Sequence, residues 1–95
     1  MRLSPSQHHA ILAAVRRQDP EARVILFGSR TDDHARGGDI DLLVISDRID
    51  FRQEWLIRRD ILDQIGWQKL DLVIIHRDQL ESGIARIAIE SGIAL

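Results

Sequence analysis

An α+β fold, a small mixed β-sheet with helices packed against it, is what this sequence predicts. Three observations carry the expectation. Short β-branched runs read as buried strands, stretches of helical period carry helix-start and helix-stop residues, and the order is helix, strand, loop, strand, helix, strand, helix. The chain has 95 residues, which we read as one domain over 1–95 with room for a modest core.

Ser4-Pro5-Ser6-Gln7 has the marks of a helix start: a Ser N-cap, Pro at the first helical position and Gln where a capping box requires it. Ile11, Ala14 and Val15 follow on one face, and Asp19-Pro20 ends the helix. Val24 to Phe27 is a buried strand stopped by Gly28, and Ser29 to Gly38 is a polar loop. Asp39 to Ile45 is the second strand. Asp47 to Ile65 reads as a helix with Phe51, Trp55, Leu62 and Ile65 near one stripe, stopped by Gly66. Lys69 to Ile75 is the third strand. Asp78 to Glu90 is a last helix carrying Leu80, Ile84 and Ile87, and the tail Ile93-Ala94-Leu95 is a candidate edge strand.

Composition excludes several classes. With no cysteine, disulfides, zinc-thiolate sites and thiol nucleophiles are ruled out. No run reaches transmembrane length and the N-terminus lacks a signal-peptide core, so a cytoplasmic protein without a membrane partner is the expectation. A net charge of -2 argues against direct nucleic-acid binding over the whole surface. Lys69 is the only lysine among the basic residues, and codon usage explains that bias before any chemistry does.

The chemistry concentrates at Asp39 and Asp41. Alternation along a strand puts both on one face, roughly 6–7 Å apart, with Ile40, Leu42 and Val44 on the other. Two hard carboxylates at that spacing suit Mg²⁺, or Mn²⁺, rather than zinc. Asp71 lies in an apolar run on the third strand, and if the strands are neighbours three carboxylates meet, as two-metal phosphoryl chemistry requires. Gly28 permits close backbone approach to a phosphate, while Ser29 and Arg30 offer a hydroxyl and a guanidinium fork.

Gly28-Ser29, a polar loop, then Gly37-Gly38-Asp39-Ile40-Asp41-Leu42-Leu43-Val44, with Asp71 in KLDLVII, resemble the signature of the minimal nucleotidyltransferases of the polymerase β superfamily. Gly38 departs from the pattern, since many members have Ser there. The resemblance implies the polymerase β-like nucleotidyltransferase fold, with Asp39, Asp41 and Asp71 as catalytic metal ligands for two Mg²⁺ ions. It implies Gly28, Ser29 and Arg30 as nucleotide-binding residues and ATP as substrate. Chains of this kind commonly pair with a helical HEPN ribonuclease toxin and act as its antitoxin, in some pairs by transferring AMP to a toxin tyrosine. An acceptor tyrosine cannot be this chain's own, because it has none.

Blander readings stand beside these. Asp39 and Asp41 could be a solvated strand end, Asp71 could pair with an arginine, Ser29 could only start a turn, and Arg30 could lie on the surface. Asp32-Asp33 reads as turn chemistry, and His8, His9, His34 and His76 lack ligand spacing. Trp55 is a core or interface anchor, Trp67 could be exposed enough to help a partner dock, and Arg58-Arg59 is the wet side of its helix. Two other functions remain open. One is a catalytically slow or inactive module that masks its partner by direct binding. The other is an aminoglycoside-type enzyme, which a missing acceptor domain disfavours.

Overall fold

Ser4 starts the first helix in the way its spacing predicts. Its hydroxyl accepts the Gln7 N–H at 3.1 Å, and the Gln7 side chain accepts the Ser4 N–H at 2.9 Å. The computed structural model describes residues 3–28 and 39–95. In it α1 spans Pro5–Gln18, β1 Arg23–Phe27, β2 Ile40–Ile45, α2 Phe51–Ile65, β3 Leu70–Ile75, α3 Gly83–Ser91 and β4 Ile93–Ala94, with a 3₁₀ turn at Arg77–Gln79 before α3.

The sheet order is β3-β2-β1-β4. β1 runs antiparallel to β2 and to the short edge strand β4, whereas β2 and β3 are parallel, joined by the α2 crossover. Among the described residues the fold is therefore a mixed sheet with three helices, as the element order implies. Alternation along the strands splits the interior in two. Leu26, Ile40, Leu42 and Val44 pack against Ile11 and Val15 of α1 and Ile57 and Ile61 of α2. On the other face Ile25, Leu43, Ile45 and Ile75 meet Ala85 and Ala88 of α3.

Three details differ from the sequence reading. α2 begins at Phe51 rather than Asp47, because Asp50 takes the N-cap and completes a capping box with Gln53. Asp47 stays outside the helix and accepts the Arg77 N–H at 2.9 Å. Phe51 and Trp55 are 85% and 57% exposed, since the β-branched Ile57 and Ile61 take the stripe that faces the sheet. The last helical segment breaks into the 3₁₀ turn and α3, and α3 buries its two alanines while Ile84 and Ile87 face outward. Small residues let α3 lie close to β1. At its end, a Cβ on Gly92 would collide with Ile25 and the Leu26 carbonyl. Among the described residues no helix is long and apolar enough to cross a membrane.

Candidate active site

Asp41 is the second residue of β2 and Asp71 the second of β3, so the parallel register sets them side by side. The antiparallel register sets Phe27, the last residue of β1, opposite Asp41 on its other flank. Both acids belong to the α3 face of the sheet, yet neither enters the core that α3 covers, and each remains half-buried. Among the described residues, the acids thus occupy the end of this face that α3 does not cover, the other end being sealed by Ala85 and Ala88.

Electrostatics follow from this placement. Burial pushes the Asp41 carboxyl from its usual 3.8 up to about 6, helped by a hydrogen bond with Asp71 and by the negative charges of Asp71 and Asp39, while Lys69 opposes the rise. Asp41 thus keeps its proton to a higher pH than a lone carboxylate does, as expected for a partly buried acid beside other acids. Asp39, just before β2, turns to Lys69 instead, with Oδ2 lying 3.4 Å from Nζ. Among the described residues no three carboxylate or imidazole groups converge closely enough to enclose an ion. The three acids expected to meet are therefore arranged as a touching pair, Asp41 and Asp71, with Asp39 beside them and held by a cation. Mutual repulsion gives the physical reason, since three ionised carboxylates do not close on one another without a countercharge.

Gly28 completes what the described residues show. Its φ is +75°, and an added Cβ would overlap the Asp41 carboxylate. Only a glycine lets the β1 end turn here against that acid. A Gly28→Ala variant should lose about 2 kcal/mol from the left-handed backbone and the displaced carboxylate, lowering the melting temperature by roughly 10 °C. A calorimetric scan unchanged from wild type would contradict the close approach. Ser29 and Arg30, together with Gly37, Gly38 and His34, lie outside the described residues.

Lys69 is the neighbour that reading the sequence missed. Its only signals there are that it is the sole lysine and stands two residues before Asp71. The surface reading of Arg58 also changes. It is partly buried and donates from Nη1 to the Leu70 carbonyl, so it ties α2 to the start of β3, whereas Arg59 lies exposed over the Trp55 ring at 5.4 Å. Trp67, just after α2, is 86% exposed. His76 stands 3.8 Å from Asp47, far from the acids along β3. A groove of about 610 Å³ between α1 and α2, lined by His9, Arg17, Asp60 and Asp63, opens on the opposite face and contains none of the paired acids.

Chemically, two strand-borne carboxylates beside a glycine turn form a hard-oxygen donor set, suited to a divalent cation and to the phosphates such a cation carries. The family model described as polymerase beta, nucleotidyltransferase matches residues 10–95, which takes in β1, β2 and β3 with all three acids and the glycine turn. None of the curated proteins matches the chain.

Proposed function

The chain belongs to the polymerase beta nucleotidyltransferase family, and from that premise we propose that it transfers AMP from ATP to a hydroxyl of a partner protein. The observation that carries this reading is the register of β2 and β3, which sets Asp41 against Asp71 beside the Gly28 turn.

The donor set fits Mg²⁺, with Mn²⁺ as a substitute. All three side chains are carboxylates, and burial, together with the neighbouring acids, makes an ionised Asp41 costly without a countercharge. Asp39, Asp41 and Asp71 would hold two such ions, whose charge steadies the phosphates and lowers the pKa of an acceptor hydroxyl. The backbone at Gly28, with Ser29 and Arg30 following it, would take the outer phosphates. Asp71, on the strand farthest from Gly28, would receive the acceptor proton. The acceptor oxygen would then bond to the α-phosphorus as the bond to pyrophosphate breaks.

We take that partner to be a HEPN-type ribonuclease toxin, modified on a tyrosine, with this chain as its antitoxin. A second reading, neutralisation by contact with slow or absent catalysis, is favoured by the exposure of Phe51, Trp67 and Ile87 at 85%, 86% and 66%.

Incubation of the protein and its partner with α-labelled ATP and Mg²⁺ separates the two. Label on the partner supports transfer, whereas an inhibited but unlabelled partner supports masking alone. Without any partner, Mg²⁺ and ATP at ~100 times their dissociation constant should stabilise the chain by about 2.7 kcal/mol, a melting shift on the order of 10 °C. An unchanged melting temperature at saturation would count against a nucleotide site.

A further inference from the structure

The chain contains 13 basic residues, and all but Lys69 are arginine. Elsewhere the ion pairs of the described residues use arginine or histidine, as in Arg17–Asp60 at 2.6 Å. The one lysine lies against Asp39, which acts on Asp41 through its charge, whereas Asp71 hydrogen-bonds to Asp41. Lys69 Nζ is 3.4 Å from Asp39 Oδ2, and the two side chains are 66% and 41% exposed. The Lys69 backbone is fixed, because its carbonyl accepts the Ile40 N–H at 3.1 Å, between Asp39 and Asp41 in the chain. The ladder thus keeps the ammonium within reach of Asp39 while the side chain is free to exchange.

Residue type matters here. A guanidinium would grip a carboxylate with two parallel hydrogen bonds and hold it. An ammonium is a compact, strongly hydrated point charge on a flexible stem, and an exposed pair of this kind is weak. It neutralises Asp39 without committing that carboxylate.

We propose that Lys69 is a positioning residue, a built-in counter-ion that holds Asp39 while no divalent ion is bound and competes with that ion for the same carboxylate. It thereby raises the free-cation concentration at which the site fills. This inference rests on the nucleotidyl-transfer reading for the identity of the competing ion.

Direct titration of the nucleotide-free chain with Mn²⁺, followed by electron paramagnetic resonance, provides the test. Lys69→Met should bind Mn²⁺ about three- to tenfold more tightly than wild type, since a positive charge beside the site has gone. Lys69→Arg should bind it no more tightly than wild type. A merely structural role predicts the opposite sign, with weaker binding in Lys69→Met. If wild type binds Mn²⁺ and Lys69→Met binds it equally or less tightly, the counter-ion role is overturned while the metal site stands. If none of the three proteins binds Mn²⁺, the metal-dependent transfer reading falls together with this one.

Discussion

An Asp41→Asn variant is expected to lose nucleotidyl transfer by about a thousandfold, some 4 kcal/mol of transition-state stabilisation, while its metal-free form melts above wild type at about pH 8. The two effects share one cause. Asp41 sits where burial and the charges of Asp71 and Asp39 disfavour its ionised form, so its pKa rises from 3.8 to about 6. A carboxyl whose folded pKa exceeds its unfolded value binds its proton more tightly in the native state. The associated stability is complete below the unfolded pKa and is lost as pH rises through the folded one. Wild type therefore weakens as the pH passes through about 6, and Asn, a permanent mimic of the neutral acid, does not.

Asp41 is only half-buried, so solvent screening holds the expected gain to about 1 kcal/mol, or roughly 4–8 °C in a domain of this size. The gain should vanish at about pH 4, where both proteins are neutral at this position. Mg²⁺ and ATP, expected to raise the melting temperature of wild type, should leave the variant unmoved. Fluorimetric melting at the two pH values, alongside the labelling assay, checks all of this. A variant that labels the partner at the wild-type rate, or that is less stable than wild type in alkali, would remove Asp41 from its role.

The acids stand out in the sequence because strand chemistry has a strict period. Two Asp residues separated by one Ile are expected on one face of a strand, and a third acid in an apolar run has few places to go. That Asp41 and Asp71 would be exact cross-strand neighbours was not legible, since it depends on which strands pair and in what register. Lys69 against Asp39 was hidden for the same reason. The helices show the other limit. At α2 and α3 the largest apolar side chains suggested the buried stripe, but Ile57, Ile61, Ala85 and Ala88 took it and left Trp55, Ile84 and Ile87 outside. Space against the sheet decided, with alanine where α3 approaches β1 and β-branched side chains where α2 packs against β3 and α1. Capping residues fared better at Ser4 because the cap and its partner lie three residues apart, and local geometry alone fixes them. For Ser29 and Arg30 the sequence pattern remains the whole argument.

Asp19→Ala and Ser46→Ala should each cost about 2–3 kcal/mol, on the order of 10–20 °C in melting temperature. Both residues are buried polar groups, 2% and 0% exposed, and nothing local in the sequence marks them as partners. Asp19 caps the end of α1, where the helix dipole disfavours a carboxylate. Its position is sustained by the Ser46 hydroxyl, which donates to Oδ2 at 2.6 Å, and by the Glu21 N–H, which donates to Oδ1 at 3.0 Å. The Ser46 oxygen in turn accepts the N–H groups of Arg48 and Ile49 at 3.1 and 3.2 Å. One hydroxyl therefore joins the end of α1 to the chain leaving β2. Removing either partner strands the other in the interior, so the double variant should cost less than the sum of the singles. The Ser46 hydrogen bond is the main reason the Asp19 pKa lies below its ordinary 3.8, with the Glu21 N–H and the charges of Arg48 and Arg77 assisting against burial. A lowered carboxylate pKa gives stability that is present above the unfolded value and lost as pH falls through the folded one. The gap between wild type and Ser46→Ala should accordingly narrow in acid, below the ordinary carboxylate range. Urea unfolding across that range measures it, and additive single costs or a gap that widens in acid would show that the two side chains act independently.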